Sequence, residues 1–463
     1  MDRRAFLKTA LGGSAALALP RTAHAEGYGS LETDPQEILD LPPGFSYVIL
    51  DRRDEIMDDG YKVPGKPDGM ACFLDDDGHY VLVRNHELDE DDLLLSPYPD
   101  GVSPPDEAYN PEALGGVSRM VIDPYDLSVV WRNMVLVGTM RNCAGGPSPW
   151  GWLSCEENVS SGHGYVFLCD PAAESVQAPH RIDAYGRFNH EAAAVDPATL
   201  AAYLTEDRSN GCLYRMLPDN PSADPFVGTL SALKVKGEDE FDTALQMSLG
   251  DVVEIEWVDL EEPTPETDTL RTEATTKGAA TIKRGEGAWF HEDSVWFTST
   301  SGGPVDGGQV FRLRLAEGTL ECVLLSTNKW VLDMPDNITV APWGEVFFSE
   351  DGTADQYVRG IDASGTMFDF AYNAGSTSEI AGVCFSPDGQ VMFLNLQKDH
   401  MTLAITGPFP VTGGDTQDTG GGGGSKDENG CGCATPLGGP GLAGLLAAFG
   451  LAAIRRQDSD EPA

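Results

Sequence analysis

Basic residues are scarce in this chain: 30 Lys plus Arg stand against 74 Asp plus Glu, a formal net charge of −44 over 463 residues. Such a charge repels phosphate backbones and excludes nucleic acid as a partner. Helical periodicity is also missing, since no stretch of the body sustains it beyond about ten residues. Metal-ribbon spacing is absent. The seven body cysteines, Cys72, Cys143, Cys155, Cys169, Cys212, Cys322 and Cys384, are scattered with no CxxC pair. That excludes a zinc ribbon and a dense disulfide scaffold, and it leaves most of them as small apolar core residues. Their odd number leaves at least one thiol unpaired. What is present is a hydrophobic fraction of 41%, enough for a sizeable core, with Gly 53 and Pro 31 marking many turns. Turn-rich and core-forming together, the composition favours strands. The length allows two or three ordinary domains or one large all-β domain.

Both ends read as addresses. Residues 1–25 contain Asp2-Arg3-Arg4-Ala5-Phe6-Leu7-Lys8, a weakly apolar run Ala10–Pro20, and small residues at Ala23-His24-Ala25. This is the pattern of a twin-arginine (Tat) export signal, whose route carries folded proteins and suits one that loads a cofactor in the cytoplasm. At the other end, residues 415–433 form a linker with Gly420–Gly424 and Cys431-Gly432-Cys433. Residues 434–463 follow as a hydrophobic segment, Leu437–Ile454, closed by Arg455-Arg456. The run is near the lower length limit for a bilayer span. The tail resembles the C-terminal sorting segments of myxobacterial surface proteins; a plain membrane anchor is the simpler reading. Either implies a periplasmic or cell-surface protein tethered to the membrane or envelope at its C-terminus. Residues 1–25 contribute +3 and residues 415–463 contribute −4, so the body 26–414 holds −43. The acid belongs to the folded part.

One pattern recurs in the body: a turn, a short aromatic or β-branched strand, then an acid or amide. It leads to Asn85-His86-Glu87, Cys155-Glu156-Glu157, Glu206-Asp207, Thr298-Ser299-Thr300, Glu350-Asp351 and Asn395-Leu396-Gln397. The spacing predicts an all-β, six-bladed β-propeller, with the charged stretch 234–281 as an insertion; a tandem of β-sandwiches is the competing architecture. In a propeller, equivalent strand ends converge on the axis. The carboxylates of Glu156-Glu157, Glu206-Asp207 and Glu350-Asp351 would there form a ring of oxygen ligands for hard cations. In particular, Glu156, Glu206 and Glu350 are expected in one central cluster.

Three further motifs carry chemistry. Arg141-Asn142-Cys143-Ala144-Gly145-Gly146-Pro147 pins a thiol in a tight loop, where a thiolate beside carboxylates can serve a transition metal. Cys143 as a nucleophile would need a base, and no His lies nearby in sequence. Asn189-His190-Glu191 offers either metal ligands or a structural His–Glu contact. Arg284-Gly285-Glu286 places a guanidinium on the same face as a carboxylate, as a phosphate fork or a surface ion pair. Pro335-Asp336-Asn337 reads first as a turn.

Taken in order along roughly residues 60–410, these segments resemble the PhoX family of Tat-exported bacterial alkaline phosphatases. The resemblance also rests on His163-Gly164-Tyr165-Val166-Phe167, Gly186-Arg187-Phe188-Asn189-His190-Glu191, Tyr203-Leu204-Thr205-Glu206-Asp207 and Ser386-Pro387-Asp388-Gly389. It implies a six-bladed propeller whose central iron and calcium ions serve hydrolysis of small phosphate monoesters. Cys143 then resembles the ligand of the iron pair, Glu191 and Glu286 carboxylate ligands, and Arg284 the catalytic arginine that holds phosphate. Glu156, Glu157, Glu206, Asp207, Asp336, Glu350 and Asp351 are implied as ligands or as groups bonded to them. Gly285 departs from the family's usual proline and loosens the Arg284 loop. A non-catalytic calcium-stabilised surface propeller, and a metal-dependent esterase or lactonase, are the alternative readings.

Overall fold

Short strands rich in Val, Phe, Tyr and Trp, interrupted by glycine turns, leave little room for helix. The computed structural model describes residues 27–353 and 355–410, so the export signal, the linker and the C-terminal segment lie outside the described residues. Within them the fold is nearly all-β, with two helices, Thr243–Gln246 and Leu270–Thr276. No helix among the described residues is long and apolar enough to cross a membrane.

Six strands, one at the start of each successive antiparallel run, form the inside of the molecule. They are β1 (Pro67–Leu74), β2 (Asn142–Ser148), β3 (His190–Val195), β4 (Gly285–His291), β5 (Pro335–Val340) and β6 (Ile380–Phe385). Each packs beside the next, and β6 packs beside β1, so the contacts close on themselves. From each inner strand an antiparallel sheet runs outward, which makes the arrangement propeller-like rather than a tandem of sandwiches. The runs from β3 and β4 are joined into one nine-stranded sheet. The joining strand, Val252–Asp259, comes from the charged stretch that the sequence marks as an insertion; it pairs with Asp224–Val235 on one side and Thr319–Leu325 on the other.

The two ends of the described residues meet. Ser46–Arg52 pairs with Met401–Thr406 and so completes the sheet of β6. From this early strand the buried Asp51 receives both arms of Arg84, at 2.7 and 3.0 Å, from the neighbouring sheet. Between sheets the packing is apolar: Leu153, Cys155 and Val166 lie against Phe188, Ala193 and Leu204. All seven described cysteines are free, and six of them are buried.

Each inner strand slips register near its beginning, between Pro67/Met70, Asn142/Gly145, His190/Ala193, Gly285/Ala288, Pro335/Ile338 and Ala381/Cys384. Bulges of this kind re-aim side chains and bend the strand. Here they also need small residues, because the inner strands nearly touch. A Cβ on Gly69 would lie 2.6 Å from the Cα of Ala144, and one on Gly146 would lie 1.7 Å from the carbonyl oxygen of Ala193. Backbone cannot retreat from that contact without moving β3. Gly146→Ala is therefore expected to destabilise the chain by about 3 kcal/mol, read as a lower Tm. An unchanged Tm would show that the two strands tolerate separation.

Candidate metal centre

The repeated frame presents three side-chain positions per run at one end of the inner strands. The first residue is the one just before each inner strand: Lys66, Arg141, Asn189, Arg284, Met334 and Glu379. Its carbonyl accepts the N–H of the residue that follows the adjacent strand: Glu87, Glu157, Asp207, Thr300, Asp351 and Gln397, at 2.8–3.2 Å. The third position is the second residue of the inner strand, at its bulge: Asp68, Cys143, Glu191, Glu286 and Asp336, with Ala381 in β6. Most of these side chains line one cavity of about 330 Å³.

Strand alternation sorts the paired acids, and it overturns part of the sequence expectation. Glu157, Asp207 and Asp351 reach the cavity, whereas Glu156, Glu206 and Glu350 do not line it. These three end strands and pair in register with Asn142, His190 and Pro335, so their side chains point to the other face. There they are fully employed. Glu156 accepts from His163 Nδ1 at 2.7 Å, Gly164 N at 2.9 Å and Met140 N at 3.0 Å. Glu206 accepts from the Tyr214 hydroxyl at 2.8 Å and from Arg271 at 3.1 Å. Glu350 accepts from Arg359 Nε at 2.8 Å and Asp333 N at 2.9 Å. The single central cluster of Glu156, Glu206 and Glu350 is thus replaced by three separate buried braces. His190 likewise turns away and stacks on Phe188 at a centroid distance of 3.6 Å. Burial lowers its pKa to about 3, so it is neutral.

Of the other sequence candidates, the structure brings Cys143, Glu157, Glu191, Asp207, Arg284, Glu286, Asp336 and Asp351 together around the cavity. Ligand atoms of Cys143, Glu157 and Glu191 lie within 4.8 Å of one another, as do those of Glu191, Glu286 and Asp336. Glu191 is common to both sets. A further set, Asp68, Glu87 and Glu379, meets the same limit and escaped the sequence reading. A signal for Asp68 existed: Lys66-Pro67-Asp68 repeats Met334-Pro335-Asp336, and Asn85-His86-Glu87 repeats Cys155-Glu156-Glu157. Glu379 had none, because no other run carries an acid just before its inner strand.

The charge is unbalanced. Ten carboxylates and one thiol line the cavity with only four cations, Lys66, Arg141, Arg284 and Lys398. Burial first, and neighbouring carboxylates second, push Glu191 and Glu286 well above the ordinary range. Burial also leads in raising Glu157 and Asp336 to about 7 and Asp351 to about 9. Cys143 rises well above its usual value through burial and the charges of Glu191 and Glu157. Bound cations would favour the ionised forms of these raised groups. Arg284 forks onto Asp207 at 2.9 and 3.2 Å and reaches Glu286 at 2.7 Å.

Comparison with known proteins is consistent with this geometry. The family model described as alkaline phosphatase PhoX matches residues 26–134 and 128–399. Among solved structures, PhoX of Pseudomonas fluorescens in complex with vanadate, a transition state analogue, superposes with a TM-score of 0.64. It is 17% identical, with 80% of this chain and 96% of that one covered. At such identity the likeness speaks for the fold alone. A gluconolactonase of Xanthomonas campestris, 12% identical over 79% of this chain and 99% of that one, reaches a TM-score of only 0.42 and bears on nothing further. No curated protein matches the chain.

The raised carboxyl groups set a pH dependence. Glu157, Asp336 and Asp351 in the cavity, with Glu206 and Glu350 outside it, hold protons in the folded metal-free chain that the unfolded chain has already released above its ordinary values of 3.8 to 4.5. The folded state then binds more protons, so stability falls as pH rises through that window, up to about 7 to 9. Chelator-treated protein is expected to melt at a higher temperature at pH 5 than at pH 9. Added calcium should narrow this difference, because cations replace the protons of the cavity carboxyls. A metal-free Tm that rises across the same range would contradict this electrostatic account.

Proposed function

The chain belongs to the PhoX alkaline phosphatase family, and from that premise we propose that it is an exported, metal-dependent phosphomonoesterase built on six blades. The blade count is supported by the closed cycle of β1 to β6 and by the two antiparallel runs that start at β3 and β4 inside the nine-stranded sheet. The observation that carries the metal dependence is the excess of ten carboxylates over four cations in one cavity. The donor sets fit iron and calcium. Cys143 with Glu157 and Glu191 mixes a soft thiolate with hard oxygens, as iron accepts. The all-oxygen sets Glu191–Glu286–Asp336 and Asp68–Glu87–Glu379 suit calcium. Asp207 and Asp351, at the exit positions, would complete or orient such ligands. Bound there, the ions would supply positive charge for phosphoryl oxygens and for activation of water.

The chain's own residues define the rest. No Ser, Thr or His is among the described residues that line the cavity, which favours an attacking water over a side-chain hydroxyl. Arg284 stands at the edge, oriented by Asp207 and Glu286, where its planar fork can take phosphoryl oxygens as charge develops on them. The twin-arginine segment 1–25 would deliver the folded, loaded enzyme to the periplasm or cell surface. Segment 434–463 would tether it there, in the manner of a myxobacterial-type sorting tail.

Elemental analysis of protein exported by its own signal, paired with a phosphomonoester assay, tests the whole reading. Iron plus calcium with activity is the expected result; metallated protein inactive on phosphomonoesters would return the chain to a binding-module role. Arg284→Ala should keep its metals and lose activity by about 10²-fold or more, with lysine restoring little. Wild-type kinetics in that variant would remove Arg284 from the site. Cys143→Ser should lower iron content and any visible charge-transfer colour while the far-UV spectrum of the fold persists. Retained iron and colour would make Cys143 a packing residue.

A further inference from the structure

Arg284 has a counterpart in the repeated frame. Arg141 occupies the same position, the residue just before an inner strand, with φ of 49° against 51° for Arg284. Few side-chain residues adopt this left-handed backbone, and it costs free energy when they do. The carbonyls of both accept the same bond, from Glu157 N and Thr300 N, each at 2.9 Å. Their side chains are braced alike, each onto the exit acid of the preceding run. Arg141 reaches Glu87 at 2.9 Å, and Arg284 reaches Asp207. Arg141 also contacts Glu157 of its own run.

Placement gives the pair a purpose. β3 lies between β2 and β4, so the two guanidinium groups enter the cavity on opposite sides of Glu191, the carboxylate shared by two ligand sets. The Nε of Arg141 is buried and without a hydrogen-bond partner. The contacts to Glu87 and Glu157 thus leave the guanidinium incompletely satisfied by the chain's own acceptors.

We propose that Arg141 is a second phosphate-binding residue, which grips the phosphoryl group of the substrate from the side opposite Arg284. The inference rests on the phosphatase reading above and deepens it: the ligand is a phosphate dianion held between two forks. A tetrahedral phosphoryl group offers enough oxygens for both, and two forks fix its rotation where one does not. The alternative role for Arg141 is a brace that only neutralises Glu87 and Glu157.

The test titrates inorganic phosphate into the fully metallated full-length chain and into Arg141→Lys and Arg141→Gln, with metal content measured on each. Lysine keeps a charge for Glu87 and Glu157, so a mere brace would survive it. The expected result is unchanged metal content and Tm in Arg141→Lys, with a phosphate Kd raised about tenfold or more, and a larger rise in Arg141→Gln. Phosphate Kd equal to wild type in Arg141→Lys with metals intact overturns the proposal. So does loss of metals in both variants, which would assign Arg141 to holding the cluster. If wild type binds phosphate yet hydrolyses no monoester, the phosphatase reading falls while the Kd comparison still decides the role of Arg141. Wild type that binds no phosphate removes both.

Discussion

Like-charge repulsion at one end of the inner strands is the constraint on which the rest of the structure depends. Ten carboxylates share a cavity of about 330 Å³ with four cations, and each unit charge a few ångströms from another costs free energy unless a cation intervenes. A frame that holds such a set must be stiff elsewhere. Here the stiffness comes from inner strands packed so closely that Gly69 and Gly146 have no room for a Cβ. It also comes from apolar layers between sheets, such as Leu153, Cys155 and Leu204. The Asp51–Arg84 pair adds a buried bond beside the pairing of Ser46–Arg52 with Met401–Thr406. Its two arms satisfy the carboxylate on both oxygens, the geometry a buried ion pair requires.

The same constraint explains why neighbouring acids differ so much in role. Glu156 and Glu157 are adjacent in sequence, yet strand alternation sends one to a ring of backbone donors and the other to the cavity. Glu156, Glu206 and Glu350 instead place their carboxyl groups beside groups that can donate to them, His163, Arg271 or Arg359. The frame is thereby balanced within itself. The excess charge stays where a metal or a substrate-bound cation can reach it. Had the register slipped by one residue, the two sets would exchange places and neither task would be met.

Much of this was legible in the sequence, and the remainder was hidden for definable reasons. Each apolar run before an acid is the strand next to an inner strand, so the repeat was visible as short strands of similar composition. The thiol in Asn142-Cys143-Ala144-Gly145-Gly146 stood out because two glycines beside a cysteine serve little purpose in an ordinary strand. What composition could not show was the facing of Glu206 against Asp207. Both follow an apolar strand, and only the pairing of His190 with Glu206 decides which turns inward. Asp68 was overlooked because Pro67-Asp68-Gly69 is also a common turn sequence, although here it opens a strand. Glu379 lines the cavity from the position just before β6, where no other run carries an acid, and Lys398 joins it one residue after Gln397, so neither had a repeat to mark it.

A symmetric frame does not make a symmetric site, and the departures from repetition give the cavity its direction. At the bulge position four of the inner strands present a carboxylate, Asp68, Glu191, Glu286 and Asp336, while β2 presents a thiol and β6 an alanine. At the exit position Thr300 and Gln397 break the series of acids. Thr300 does so in the run that carries Arg284, whose guanidinium is already held by Asp207 and Glu286. Gln397 instead donates to Asp68 at 2.8 Å and to Glu87 at 2.9 Å, so it tempers two acids without adding charge. Soft donor, cationic edges and neutral amide therefore occupy different sectors of one repeating scaffold. Selecting a residue at each equivalent position, rather than altering the backbone, is enough to set acid-rich sectors of the cavity apart from cationic ones.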